Sequence, residues 1–212
     1  MKRILMIMVG LALCLGLGAC GKSDDAAKVT KITIKANDVY TKPARATNYQ
    51  AKLYNKLTAA LKAGDEAKTA TLVAENFAAQ FFNLQNRKSA SDIGGLTYIV
   101  PNDQESFSDY AMNYVYANYK TIKDKYGSDS LPAVKSIKVK SSDTKQITYP
   151  VYTPANATTG AAARSVDTDF NAYVIKLKIT YASTDVDEAD LKVNTTIYVI
   201  NLDNRLSVAI VE

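Results

Sequence analysis

The chain has no histidine and no tryptophan, and only two cysteines, Cys14 and Cys20, in 212 residues. Without histidine there is no Ser-His-Asp or Cys-His nucleophile, no imidazole metal ligand and no imidazole switch near neutral pH. Hydrophobic residues at 47% and charged residues at 22% exclude a disordered chain and a multi-span membrane protein. The length suits one ordinary domain with a tail, and neither an internal repeat nor a second domain is visible.

The first twenty residues are the most informative. Lys2 and Arg3 make a short positive region, and Ile4 to Ala19 is a mostly apolar run of sixteen residues without charge. A spanning helix needs about twenty apolar residues, so this run has the length of a signal-peptide core instead. It ends in Leu17-Gly18-Ala19-Cys20, which resembles the bacterial lipobox of an aliphatic residue, two small residues and cysteine. That resemblance implies cleavage between Ala19 and Cys20 and a diacylglycerol on Cys20. The expected organisation is a signal peptide at 1–19, a lipidated tether at 20–28 and one domain at 29–212. Cys14 then leaves with the leader and Cys20 carries lipid, so the mature domain has no thiol for a disulfide, a metal or a nucleophile. Two acyl chains at about 0.8 kcal/mol per buried methylene make a stable anchor. The expected location is the extracytoplasmic face of the membrane, either the outer face of a single membrane or a periplasmic leaflet.

Loss of Lys2 and Arg3 lowers the 26 basic residues to 24, against 21 acidic ones. A balance of +3 is too small to indicate a nucleic-acid partner. The stretch Gly16-Leu17-Gly18-Ala19-Cys20-Gly21-Lys22-Ser23 fits the P-loop pattern by letter, but that pattern works only where a strand feeds the loop and a helix leaves it, and here it straddles the expected cleavage point and a polar Asp24-Asp25 linker follows. Asp185-Val186-Asp187-Glu188-Ala189-Asp190 invites a calcium reading. The EF-hand pattern fails at its fifth, sixth and twelfth positions, where Ala189, Asp190 and Thr196 stand, and a solvated acidic turn is the better reading. The sequence therefore names no metal and no cofactor. The sequons Asn156-Ala157-Thr158 and Asn194-Thr195-Thr196 carry little meaning in a bacterial lipoprotein.

Along the mature chain, alternation over 29–35 predicts a short strand with one wet face. Tyr49, Leu53, Leu57, Ala60 and Leu61 recur at helical steps and predict a helix over 44–63, stopped by Gly64. A second helix over about 65–87 carries Ala70, Val73, Ala74, Phe77, Ala78, Phe81 and Leu84 on one face, a packing stripe. A third helix opens at Asn102 or at Ser106-x-x-Asp109, which fits a capping box, and closes at Gly127. On it Phe107, Ala111, Tyr114, Val115, Asn118 and Ile122 share an inward arc bordered by Tyr110, while Tyr116 points away. From Pro132 the period becomes two, with strands near 137–139, 146–152, 170–181, 192–202 and 206–211. Pro150 marks an edge or bulge, 156–165 reads as a loop, and Asp203-Asn204 as a hairpin turn.

Helices first and antiparallel strands afterwards predict an α+β fold with helices packed on one face of a curved sheet. This element order over 44–212 resembles the nuclear-transport-factor-2-like (NTF2-like) cone, with the cystatin-like arrangement as its near neighbour. The stretches Ala74-Glu75-Asn76-Phe77-Ala78-Ala79-Gln80-Phe81-Phe82 and Asp92-Ile93-Gly94-Gly95-Leu96 resemble uncharacterised lipoproteins of Gram-positive bacteria, as do the 21 lysines against 5 arginines. Enzymes of the NTF2-like fold use the cone interior, commonly with an Asp base, a Tyr donor and often a His. Here Tyr98, Tyr110 and Tyr114 are the expected cavity liners, with Asp103, Glu105 and Asp109 near in sequence. The competing reading makes Tyr110 and Tyr114 packing residues and the three acids helix-start partners. No catalytic residue is assigned. The favoured function is a non-catalytic, membrane-anchored module for a small ligand or an envelope protein. The alternatives are an enzyme using a carboxylate and a tyrosine, and an assembly subunit acting as a homodimer or within an envelope complex.

Overall fold

The computed structural model describes residues 31–212. The readings placed on 1–30, namely the leader, Ala19 and Cys20, the tether and the first residues of the expected N-terminal strand, lie outside the described residues. The described chain is α+β: four α-helices, then four antiparallel strands in an open sheet of order β1-β2-β3-β4. Among these residues no helix is long and apolar enough to cross a membrane.

Helix α1 spans Asn48–Ala63 and α2 spans Glu66–Phe81. The start of α1 is a complete capping box: Thr47 Oγ1 accepts from the Gln50 N–H at 3.2 Å, and Gln50 Oε1 accepts from the Thr47 N–H at 3.0 Å. Gly64 ends α1 in the left-handed conformation, at φ 69°, where a side chain would be strained. Asp65 caps α2 by accepting from the Lys68 N–H at 3.0 Å. Helix α2 runs across all four strands, and α1 packs beside it.

No strand forms over 31–35, which corrects the expectation for that part of the segment. The backbone is extended, but its partners are side chains of α1. The Ile32 N–H donates to Asn48 Oδ1, the Lys35 N–H donates to Asn55 Oδ1, and Thr33 O accepts from Asn55 Nδ2. Alternation describes the extended shape; it does not say whether a strand or a helix supplies the partners.

The third predicted helix is broken into pieces. A 3-10 turn at Pro101–Asp103 leads into α3, Gln104–Tyr110, which continues as a π turn, Ala111–Val115. Helix α4, Tyr119–Tyr126, begins after Tyr116. Helix α2 ends at Phe81 rather than near 87, and Leu84 N–H instead donates to Pro132 O at 2.8 Å.

The sheet comprises β1 (Val134–Thr153), β2 (Arg164–Tyr181), β3 (Asn194–Leu202) and β4 (Arg205–Val211). The two short strands expected before 153 are one edge strand, the place in a sheet where a proline such as Pro150 is tolerated. The expected loop closes earlier too: Asn156 bridges Ala161, and Arg164 already belongs to β2. The turn at Asp203 and Asn204 has positive φ at both residues, 54° and 61°, as a tight hairpin between twisted strands requires.

Two bulges bend β1. Val139 pairs with Leu177 and Ser141 with Lys176, so Lys140 is an extra residue; Lys135 is extra in the same way between Val134 and Ser136. The bulge at Lys140 reverses the alternation. Ile137 and Val139 pack with Ile175, Leu177 and Ile179 against α2, whereas Ile147 and Tyr149 pack on the other face with Ala172, Ile200 and Val100. One sheet thus has a large core under the helices and a small second cluster on its opposite side, covered by the chain around Val100.

Candidate functional site

A groove of about 770 Å³ opens where α3 and the π turn pass the end of β4. Its apolar wall comes from the C-terminal end of α2 and from α3, through Phe81, Phe82 and Phe107. These rings touch: Phe81 lies 5.0 Å from Phe82 and 5.2 Å from Phe107, centroid to centroid. Ile210 and Val211 of β4 line the other side, and Asp103, Asp190, Lys192 and Glu212 bring charge.

The mouth is built by the π turn. The Tyr116 N–H donates to Ala111 O at 2.8 Å, a five-residue step where an α-helix makes a four-residue one. One extra residue in the turn rotates the downstream side chains by about 100° relative to an unbroken helix. Tyr116 therefore turns inward and is fully buried, its hydroxyl donating to Phe81 O at 2.5 Å and accepting from the Gly94 N–H at 3.3 Å. Tyr114 turns outward, 74% exposed, and pairs with Tyr110, 55% exposed, at 5.0 Å between ring centroids. The inward arc read from sequence is thereby corrected: Tyr114 and Tyr116 exchange roles. Tyr110 and Tyr114 lie along this groove, and they are exposed rather than packed in the core.

Tyr98 does not line this groove. It is wholly buried beside Tyr40, 5.1 Å between centroids, and its hydroxyl accepts from Gln80 Nε2 at 3.0 Å. The 3-10 turn Leu96–Tyr98 puts it there, after which Ile99 pairs with Val208 at the edge of β4. Burial holds the Tyr98 phenol far above its ordinary acidity range, so it is a neutral hydrogen-bonding core residue.

Of the three acids near these tyrosines, only Asp103 reaches the groove. It makes no helix cap; instead Tyr149 on β1 donates its hydroxyl to Asp103 Oδ2. Burial first, and then this hydrogen bond to a carboxylate, push the Tyr149 hydroxyl well above its ordinary range and keep it a donor. Glu105 and Asp109 are exposed on α3 and do not line the groove. The expected capping box at 106–109 is absent: Ser106 Oγ donates to Asp103 O, and Asp109 O accepts from Asn113 Nδ2. Sequence reasoning misses Tyr149, although the alternation of Ile147, Tyr149 and Val151 beside Pro150 is an available signal.

The acidic turn at 185–190 is tied to the loop before β1. Ser130 Oγ donates to Asp185 Oδ2, and Thr184 Oγ1 donates to Ser130 O. Among the described residues no group of three or more carboxylates or other metal-binding side chains converges. Comparison of the chain with protein-family models, with curated proteins and with solved structures found no match.

Proposed function

We propose that this protein is a lipoprotein anchored through Cys20 on the extracytoplasmic face of its membrane, and that it binds a ligand in the groove between α3 and β4 without transforming it. The observation that carries the binding reading is the pair Tyr110 and Tyr114. Two adjacent large aromatic rings stand exposed over a cavity of about 770 Å³, the size range of small-molecule sites. Leaving such rings in water contributes nothing to the core, so their placement is explained by what they contact. The apolar floor and the carboxylates around it fit a ligand with an apolar or ring-bearing body and a polar end. We read the sheet, bulged at Lys135 and Lys140 and packed on α2, as an NTF2-like cone, and that reading agrees with a ligand-binding role.

Native mass spectrometry of the protein purified without added ligand tests both halves. Retained mass that disappears in the Tyr110→Ala/Tyr114→Ala double variant supports ligand binding. The intact mass of the mature N-terminus tests the diacylglycerol on Cys20. A clean dimer with nothing bound moves the reading to the assembly subunit.

One observation favours a second reading. The Asp103–Tyr149 pair is a carboxylate and a protonated tyrosine meeting in the groove, the two groups a histidine-free enzyme would use as base and donor, with the Tyr149 proton, now given to Asp103, turned to a substrate carbonyl. If Tyr149→Phe leaves the retained ligand chemically unchanged and equally bound, the enzyme reading falls.

A further inference from the structure

A second cavity, of about 540 Å³, lies between the segment around 41–44, the loop 92–97 and the first residue of β4, and it shares no lining residue with the groove. Its character is the opposite. Lys42, Arg87 and Arg205 line it, with Asp92 as its one carboxylate. Asp92 is already engaged: its Oδ2 accepts from Arg45 and from the Lys88 N–H, and its Oδ1 stands 3.7 Å from Arg87 Nη1, beyond hydrogen-bond distance.

Both arginines keep donors that no protein atom accepts. The Arg87 side chain is 6% exposed; its Nε donates to Asn83 O at 3.2 Å, but its buried Nη2 has no acceptor. Arg205 donates through Nη2 to Thr97 O and lies over the Tyr40 ring at 5.1 Å, while its buried Nε has no acceptor. A guanidinium is a rigid fork of donors, and buried forks normally meet a carboxylate or a phosphate. The fold packs closely to hold Arg87 here. A Cβ on Gly94 would lie 2.1 Å from Gln80 O and 3.0 Å from Arg87 Cζ, so the absence of a side chain at Gly94 makes room for the guanidinium.

We infer that this cavity is a binding site for an oxyanion, the carboxylate or phosphoryl group of a small polar molecule, attracted by the Arg87 and Arg205 guanidinium groups that line it, with Lys42 at its edge. The charge lining it favours an anion: three cations face one carboxylate that Arg45 also shares. The size favours more than a bare ion, since a single water occupies about 30 Å³ of liquid.

The test is an NMR titration of the full chain in neutral detergent, following the arginine Nε–H signals and the Gly94 and Gly95 amides. The probes are inorganic phosphate and acetate, each against chloride at constant ionic strength. The expected result is a saturable shift of Arg205 Nε–H with phosphate or acetate, at a midpoint at least tenfold below that of chloride. Tighter phosphate marks a phosphoryl ligand, and tighter acetate a carboxylate. Arg205→Gln should raise that midpoint at least tenfold while leaving the far-UV spectrum unchanged. Arg87→Gln should do the same, and Lys42→Gln, a surface change, should raise it by a smaller factor. The inference is overturned if neither anion surpasses chloride. It is equally overturned if Arg205→Gln binds as the parent does.

Discussion

The paired helices α1 and α2 and the broken run from α3 through the π turn to α4 solve different problems with similar residues. Both carry several aromatic residues. In α1 and α2, spacing at 3.6 residues holds throughout, so Leu53, Leu57, Val73, Phe77 and Phe81 all reach the core. The run from 104 to 126 holds that period only as far as Ala111, and then slips by one residue. What it loses in regularity it gains in shape. One slip buries Tyr116, frees Tyr114 and opens the mouth of the groove. The first pair supplies most of the helical core, and the second shapes the groove to which we assign binding.

The largest effect that could break this contrast is at Tyr116. Its ring is fully buried, and its hydroxyl both donates to Phe81 O and accepts from the Gly94 N–H. Tyr116→Ala should cost about 3–5 kcal/mol, the range of large aromatic truncations in cores. Tyr114→Ala, two residues away, should stay within about 0.5 kcal/mol. Urea midpoints for the two variants measure this directly. Equal losses would mean that the helix runs through without the π turn and that the exchange of faces is wrong.

Alkaline pH sharpens the same point. Burial pushes the Tyr116 phenol up to about 12, with the Gly94 hydrogen bond and nearby Arg87 opposing it. A phenol raised in the folded state favours folding fully below the ordinary tyrosine value of about 10. That contribution is lost as pH rises from about 10 to about 12, because the unfolded chain ionises first; the change amounts to at most about 3 kcal/mol. Tyr40, Tyr98, Tyr149 and Tyr181 are displaced in the same direction, mainly by burial, and add to the loss. Denaturation midpoints between about pH 10 and about pH 12 should therefore fall steeply. Tyr116→Phe should flatten part of that fall, and an unchanged slope would place Tyr116 outside the core.

Much of the fold is legible in the sequence because its local rules agree with each other. The stop at Gly64, the packing stripe of α2, the two-residue hairpin at Asp203-Asn204 and the order of helices before strands all come from spacing and turn chemistry. Two of the departures share a physical cause: each depends on one residue inserted into a regular period. The extra residue at Lys140 moves Tyr149 to the face where Asp103 meets it, and the π turn moves Tyr114 and Tyr116. Nothing in the letters around 139–141 or 111–115 marks an insertion, because the energy that favours it comes from partners distant in sequence. The extended segment at 31–35 departs for a related reason: its backbone partners are Asn48 and Asn55 on a helix.

Gly94 links the two regions, since its amide supports Tyr116 while its bare Cα admits Gln80 O and Arg87. Gly94→Ala places a methyl against backbone that cannot give way, and the expected cost is about 1–3 kcal/mol, as for overpacked cores. Thermal melts check it, and a melt like that of the parent would show that the loop 92–97 yields freely. Such yielding would also loosen the hold on Arg87.

The smallest effect compares the two helix starts. Thr47 makes both halves of a capping box with Gln50, whereas Ser106 and Asp109, which read as a capping box in sequence, make none. Thr47→Ala should cost about 1 kcal/mol, the usual value for losing a threonine cap. Gln50 would lose one of its roles but keep its bonds to Ala79 O and Asn86, so the loss should not spread along α1. Ser106→Ala should fall within about 0.5 kcal/mol, because it removes one exposed bond to Asp103 O beside the groove and no cap. Urea denaturation resolves a difference of this size when the two variants are run side by side with the parent. If Ser106→Ala costs as much as Thr47→Ala, α3 begins at Ser106 and not at Gln104. Asp103 would then no longer adjoin the helix start, and its meeting with Tyr149 would need another support.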